Sequence, residues 1–89
     1  MISHTTERFR RALNALPDRV QQQAREAYRL FRLNPYHPSL RFKQVHPSKP
    51  IYSVRISRDY RAVGIRDGDE VIWIWVGSHA DYDKLLSQL

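Results

Sequence analysis

The chain has 89 residues, 42% of them hydrophobic and 11% aromatic, and because a chain of this length buries only one core we predict a single domain over residues 1–89. Fifteen Lys and Arg against nine Asp and Glu give a formal net charge of +6, which favours a polyanion such as nucleic acid as the partner. The absence of cysteine excludes disulfides, thiolate catalysis and Cys-ligated zinc, and no apolar run approaches the roughly 18 residues of a membrane span, so we expect a cytoplasmic protein without a membrane partner.

Two amphipathic helices are predicted in the first third of the chain. Thr5 or Thr6 can cap the first helix, and apolar residues follow at helical spacing. Pro17 suits the start of a second helix, whose apolar residues recur until Asn34-Pro35 ends the run. Residues 5–33 are therefore predicted to form a helical hairpin.

From Leu40 onward the pattern changes to short runs rich in β-branched and aromatic residues. These runs are LRFKQVH, IYSVRIS, YRAVGIR and VIWIWV, with turn residues between them, and they predict three or four antiparallel strands. The segment Ser78-His79-Ala80-Asp81 has the form of a capping box and predicts a last short helix through Leu89. The predicted fold class is α+β, with the N-terminal helical hairpin packed on one face of the sheet, the other face open, and a short C-terminal helix.

Asp67-Gly68 is a strong hairpin signal, because a two-residue turn of the mirror-image type needs positive φ at its central positions. A turn at this pair sets Gly64 opposite Val71 and Ala62 opposite Trp73, so that small residues face large ones. Trp73 and Trp75 alternate along the same strand, and we expect both on one face as core residues rather than as a base-stacking platform.

Basic residues are concentrated in the predicted strands and turns, where a sheet could gather them over one surface: Arg41, Lys43, Arg55, Arg58, Arg61 and Arg66. A guanidinium can bind a phosphate through two parallel hydrogen bonds and can stack on bases. A three-residue loop would place Arg55 directly opposite Arg61, where like charges are destabilising unless an anion lies between them. A two-residue loop would put the two arginines on opposite faces, and the alternative to a phosphate site is a set of solvated strand charges.

His79 is the best-placed residue for proton transfer, because histidine changes charge near pH 7 and Tyr82 lies one helical turn further on the same side. The Tyr82 ring or hydroxyl could contact the same ligand. RNA cleavage by the 2′-hydroxyl needs a proton acceptor, charge stabilisation at the phosphate and a proton donor, and Arg61 and His79 could supply the last two. The alternative is a structural histidine. The sequence supports no metal site and no cofactor, since the four histidines lack zinc-motif spacing.

The chain resembles the RelE/ParE superfamily of type II toxin–antitoxin toxins over nearly its whole length. The resemblance rests on the helical hairpin, then HPSLRFKQV, then IYSVRISRDYRAVGIRDGDEVIWIWVGSHADYDKLL, in which Tyr60-Arg61, Asp67-Gly68 and Gly77-Ser78-His79 with Tyr82-Asp83 are the specific parts. It implies a ribosome-dependent endoribonuclease that cuts mRNA and inhibits translation, and a cognate antitoxin through which operator DNA is bound. A ParE-like gyrase poison without nuclease activity and an inactive nucleic-acid-binding relative are the alternatives.

The resemblance also implies roles for single residues. Arg61 matches the arginine at the scissile phosphate in RelE-like members, His79 the histidine of the YafQ-like branch, and Tyr82 the late aromatic. These three are the predicted catalytic residues, and the predicted RNA-binding residues are Arg55, which matches a strand lysine, with Lys43, Arg41 and Arg58. The chain departs from the pattern at Ser53, which replaces a second strand lysine, and in lacking the glutamate base of YoeB-like members. The first strand is expected to be shortened to residues 1–4 or lost, and His46 or His37 is the possible base.

Overall fold

The computed structural model describes residues 1–89 as an α+β fold, as predicted. In chain order the elements are β1 (Ile2–Thr5), α1 (Glu7–Asn14), α2 (Asp18–Leu33), a 3-10 turn (Pro38–Leu40), β2 (Lys43–Gln44), β3 (Ile51–Ser57), β4 (Tyr60–Asp67), β5 (Glu70–Ser78) and α3 (His79–Ser87). The helical hairpin and the C-terminal helix are confirmed.

The helix boundaries follow the capping signals of the sequence. The Thr6 hydroxyl accepts a hydrogen bond from the Phe9 N–H at 3.1 Å, so Thr6 rather than Thr5 caps α1. Helix α2 begins directly after Pro17, and it ends where Asn34 takes an extended conformation (φ −155°, ψ 97°) before a proline, a position at which helical backbone is disfavoured. Each helix turns its apolar stripe to the sheet, with Phe9 and Phe31 among the buried residues.

The sheet has five strands in the order β1-β5-β4-β3-β2, which is one strand more than the upper limit predicted. The additional strand is β1, the short first strand that the resemblance gave as the alternative to its loss, and it spans Ile2–Thr5 instead of residues 1–4. It pairs in parallel with β5, so the sheet is mixed rather than wholly antiparallel. The Ile2 N–H donates to the Asp69 carbonyl at 2.8 Å. The four residues of β1 carry little apolar alternation, and pairing with a strand about 70 positions away in the chain makes them extended.

The turn between β4 and β5 lies one residue later than predicted, because Asp67 pairs with Glu70 and only Gly68 has a positive φ, at 59°. The later turn sets Gly64 opposite Trp73, and a bulge at Ile74 then shifts the register again, so that Ala62 faces Val76. Both predicted pairings are therefore wrong. A Cβ on Gly64 would lie 2.8 Å from the Trp73 ring, which explains why glycine is needed there. The bulge also places Trp73 and Trp75 on opposite faces, against the prediction.

The two faces of the sheet differ in what covers them. The core face packs under α1 and α2, and its buried cluster comprises Phe9, Phe31, Leu40, Val54, Ala62, Val71, Trp73 and Val76. Neighbouring strand residues point to opposite faces, so Ser53, next to Val54, points to the second face. Helix α3 packs on that second face, where the Tyr82 hydroxyl donates to the Ser53 Oγ at 2.9 Å. The prediction that this face is open is therefore wrong where α3 lies.

Candidate functional site

Arg55 and Arg61 lie directly opposite each other on β3 and β4, at the end of the sheet next to α3. The connection between the paired Ser57 and Tyr60 has two residues, which alone would put the arginines on opposite faces. A bulge at Ile56 adds the residue that brings both to the second face. The two positive charges are thus adjacent on one surface, which favours an anion between them.

The Arg61 guanidinium is fixed by the turn that precedes it. Its Nη1 donates to three carbonyl oxygens, those of Ser57 at 2.6 Å, Tyr60 at 3.0 Å and Arg58 at 3.3 Å. No hydrogen bond to the protein uses its Nη2 or Nε. Burial, and after it the Arg55 charge, lower the pKa of Arg61. Arginine still keeps its proton wherever a protein is folded, so Arg61 presents an oriented, partly desolvated positive charge.

The other predicted RNA-binding residues surround this pair. Arg41 has a left-handed backbone conformation (φ 47°, ψ 41°), and its charge also lowers the pKa of Arg61, so it belongs to the same positive cluster. Lys43 pairs with Ser53, two residues from Arg55 on the same face, and Arg58 is exposed in the turn. None of the basic side chains Arg41, Lys43, Arg55, Arg58 and Arg61 has an acidic partner within 4.0 Å.

Arg66 does not belong to this surface, although the sequence groups it with the strand arginines. Its guanidinium lies over the Tyr52 ring at 5.2 Å and the Phe42 ring at 5.9 Å. Arg66 follows Gly64 at the alternate strand position and therefore points to the core face. The predicted gathering of all strand charges over one surface is wrong for this residue, which covers an aromatic cluster at the far end of the sheet.

His79 lies at the start of α3, beside the arginine pair. The predicted capping box is present, since the Ser78 Oγ accepts from the Asp81 N–H at 3.2 Å. The His79 N–H donates to the Asp59 carbonyl at 2.7 Å, which attaches α3 to the same turn that holds Arg61. The His79 side chain is 46% exposed, its Nδ1 lies 3.1 Å from the Asp83 Oδ2, and no hydrogen bond to the protein uses its Nε2. Nε2 is therefore available to a ligand.

Tyr82 is buried, with 6% of its surface exposed and its hydroxyl donating to Ser53. Its ring packs edge-on against the His79 ring at 5.8 Å and near the Trp75 ring at 6.4 Å. The hydroxyl that the sequence offers to a ligand therefore already has a protein partner. The exposed aromatic surface here belongs to Trp75, which is half-buried and lies so close over Gly77 that a Cβ there would be 2.8 Å from the indole ring.

The two histidines considered as the base are each hydrogen-bonded within their own loop. The His46 Nδ1 accepts the backbone N–H groups of Ser48 and Lys49 at 3.1 and 2.9 Å, in the loop that leads to Ile51. Ile51 is four strand residues, or about 13 Å, from Arg55. The His37 Nδ1 accepts the Ser39 N–H at 3.2 Å in the 3-10 turn. Neither side chain is hydrogen-bonded to Arg61 or His79.

The sequence analysis gives no role to two acidic residues near the site. Asp83 contacts His79, and Glu26 of α2 lines a groove of about 430 Å³ together with Ser39, Arg55 and Ser57. The i, i+4 spacing of His79 and Asp83 could have indicated the first contact, whereas an exposed helical glutamate such as Glu26 carries no distinguishing pattern. No group of three or more His, Asp or Glu side chains is placed to hold a metal ion, and no helix is long and apolar enough to cross a bilayer.

Comparison with known proteins gives a family match and several similar folds. The model of the ParE-like toxin domain matches residues 18–84, which is more than half of the chain. The RelB-RelE antitoxin-toxin complex from Methanococcus jannaschii contains a similar chain at 14% identity and a TM-score of 0.73, covering 92% of this chain and 96% of that one. YafQ from E. coli strain BL21(DE3) is similar at 12% identity and a TM-score of 0.70, with coverages of 90% and 94%.

A third similar structure is the archaeal RelE-RelB complex from Pyrococcus horikoshii OT3, at 13% identity and a TM-score of 0.68, with coverages of 86% of this chain and 92% of that one. A search of the curated proteins finds no match. At these identities the structural likeness concerns the fold, and it extends over almost the whole of each chain.

Proposed function

The chain belongs to the family of ParE-like toxin domains, within the RelE/ParE superfamily of toxins, and on that premise we propose that it is an endoribonuclease toxin that cuts mRNA on the ribosome. One observation carries this proposal. The turn that holds the Arg61 guanidinium beside Arg55 also anchors the N–H of His79, so an unpaired phosphate-binding pair and a histidine with an available Nε2 lie at the same corner of the sheet.

In the proposed reaction the 2′-oxygen of the RNA attacks the adjacent phosphorus, and the bond from phosphorus to the 5′-oxygen breaks. The products are a 2′,3′-cyclic phosphate and a 5′-hydroxyl. Arg61 and Arg55 stabilise the charge that develops on the non-bridging oxygens, an effect worth about 100- to 1,000-fold for one well-placed donor. His79 donates the Nε2 proton to the departing 5′-oxygen, for which general acid catalysis contributes about 100- to 10,000-fold.

For the acceptor of the 2′-hydroxyl proton we propose solvent or a group of the ribosome, with His37 and His46 as the alternatives within the chain. Both imidazoles accept backbone N–H groups at Nδ1, and neither is hydrogen-bonded to Arg61 or His79. Cleavage by the isolated protein is accordingly slow, and the ribosome accelerates it by orienting the RNA. Tyr82 supports the His79 ring instead of stacking on a base, and the exposed part of Trp75 is the better surface for a base.

The remaining basic residues, Arg41, Lys43 and Arg58, bind the RNA backbone on either side of the cleaved phosphate. Each is a phosphate contact without base specificity, so RNA binding weakens steeply as salt concentration rises. The partner that silences the toxin is a cognate antitoxin, a proposal supported by the two antitoxin complexes among the similar structures. Operator DNA is bound only through that antitoxin, and the ribosomal target places the protein in the cytoplasm.

A second candidate function is a gyrase-inhibiting toxin, which the match to the ParE-like model favours. Such a toxin acts by binding and has no need of a histidine beside the arginine pair. An inactive nucleic-acid-binding relative is a further outcome of the same test, since neither candidate base is hydrogen-bonded to Arg61 or His79.

The experiment is brief induction of the wild-type chain and of Arg61→Ala and His79→Ala in a bacterial host, with Arg29→Ala as control. Arg29 is exposed on α2 and forms no ion pair. Growth is followed while mRNA fragments with 5′-hydroxyl ends are mapped. We expect growth arrest and new ends within translated frames for the wild type and the control only. Arrest with DNA breaks and intact mRNA would support gyrase as the target, and no arrest by a folded protein would support the inactive relative.

A further inference from the structure

The His79 imidazole has a single carboxylate partner, and it lies on the same helix. The Nδ1 of His79 and the Oδ2 of Asp83 are 3.1 Å apart at the i, i+4 spacing of α3. We propose that Asp83 is a positioning residue, which keeps the proton of neutral His79 on Nδ1 and thereby makes Nε2 the nitrogen that gives and receives a proton. The role of this pair in proton transfer rests on the proposed RNA cleavage, whereas the effect of Asp83 on the His79 tautomer does not.

Three further contacts limit how the His79 ring can move. The Tyr82 ring packs edge-on against it at 5.8 Å, and Tyr82 is itself fixed by its hydrogen bond to the buried Ser53. The His79 backbone is held by the Asp59 carbonyl at 2.7 Å. The His79 ring therefore packs on the Tyr82 ring and its backbone is fixed, and the Asp83 carboxylate determines that Nδ1 is the nitrogen directed along the helix.

The chemistry of His79 and Asp83 determines which imidazole nitrogen transfers the proton. An ionised carboxylate only accepts hydrogen bonds, so a close Nδ1 must carry a hydrogen. When His79 is doubly protonated, the Nε2 proton passes to the departing 5′-oxygen of the RNA, and the neutral imidazole that results keeps its proton on Nδ1, opposite Asp83. The aspartate stays ionised throughout, as a carboxylate does when it orients an imidazole.

A purely structural role is the competing explanation, since an i, i+4 ion pair stabilises a helix by about 0.3–0.5 kcal/mol whatever the histidine does. Asp81 provides the matched control. It lies on the same helix, carries the same charge and is exposed, but it forms its hydrogen bond through its backbone N–H to the Ser78 Oγ and not to His79. Asp81→Ala removes an equal charge and leaves the His79 contact in place.

The test is ¹⁵N NMR of the imidazole nitrogens in the full chain, at alkaline pH where imidazoles are neutral, with His79→Gln identifying the His79 signals. His37 and His46 are internal references, because both accept backbone N–H groups at Nδ1 and must carry their proton on Nε2. We expect the wild type and Asp81→Ala to hold the His79 proton on Nδ1, and Asp83→Ala to move it largely to Nε2.

Cleavage kinetics give the second readout. We expect Asp83→Ala to lower the single-turnover cleavage rate by about 10- to 100-fold with little change in KM, as loss of a group that orients a reacting side chain does. An unchanged His79 tautomer in Asp83→Ala overturns the inference. If the wild type leaves RNA intact but the tautomer shifts as expected, the proposed function fails while the positioning by Asp83 holds.

Discussion

Replacing Tyr82 with phenylalanine removes the hydroxyl that links α3 to β3 through the Ser53 Oγ at 2.9 Å. Ser53 is 2% exposed and Tyr82 is 6% exposed, so water cannot take the place of the lost donor. Leaving a buried hydroxyl without its partner costs about 1–3 kcal/mol. We therefore expect Tyr82→Phe to lower the free energy of unfolding by about 1–3 kcal/mol, with a fall in melting temperature of roughly 4–8 °C for each kcal/mol in a domain of this size.

Urea unfolding of Tyr82→Phe, Ser53→Ala and the double variant measures this link directly. Because the double variant removes both polar groups, we expect it to be less destabilised than the sum of the single changes, with a coupling energy of about 0.5–3 kcal/mol. Tyr28→Phe, at an exposed tyrosine of α2, is the control. We also expect Tyr82→Phe to cleave RNA nearly as fast as the wild type. Additive effects, or lost cleavage with full stability, would refute this and favour a hydroxyl that acts on the substrate.

Three further predictions concern the site and its support. Arg55→Gln removes the like charge opposite Arg61 and should stabilise the free protein by about 0.2–1 kcal/mol at low salt. We expect added phosphate to raise the melting temperature of the wild type and to leave that of Arg55→Gln unchanged. The lowered pKa of Arg61 means that its charge is disfavoured in the folded protein, but arginine loses its proton only far above any pH at which the protein folds. Added salt, and not a change of pH, therefore relieves the repulsion between the two arginines. Thermal unfolding across pH and salt concentration measures both effects, and equal stabilisation of Arg55→Gln and the wild type by phosphate would contradict the role of Arg55 in binding the anion. Gly64→Ala places a Cβ 2.8 Å from the Trp73 ring and should cost about 1–3 kcal/mol in urea unfolding, whereas wild-type stability would mean that the Trp73 ring does not lie over Gly64. Ser78→Ala removes the cap of α3 and should cost about 1 kcal/mol in the same assay, and no loss would show that the cap is not needed.

The parts of the fold that the sequence predicts correctly are those governed by neighbouring residues. The caps at Thr6 and Ser78 and the helix start after Pro17 each depend on a side chain and the backbone within three or four positions. The apolar stripes of the two hairpin helices are equally local. These signals are sufficient for the α+β class, the helical hairpin and the order of the elements.

The parts of the fold that the sequence does not predict correctly depend on residues that are distant from one another in the chain. Strand β1 exists through pairing with β5, and the bulges at Ile56 and Ile74 set which face each later residue occupies. One bulge brings Arg55 and Arg61 to the same face, and the other separates Trp73 from Trp75. Tyr82 is likewise buried because α3 packs on the second face of the sheet, and no sequence pattern within α3 predicts that packing.

The measurement that tests the central claim most directly is single-turnover cleavage of a defined mRNA on ribosomes, using purified wild type, Arg61→Ala, His79→Ala and the control Arg29→Ala. We predict that the wild type and the control cut the message and leave 2′,3′-cyclic phosphate and 5′-hydroxyl ends. Arg61→Ala and His79→Ala should be at least about 100-fold slower while remaining folded at the assay temperature. Intact mRNA with the wild type, or cleavage at the wild-type rate by either variant, would contradict the assignment of this site.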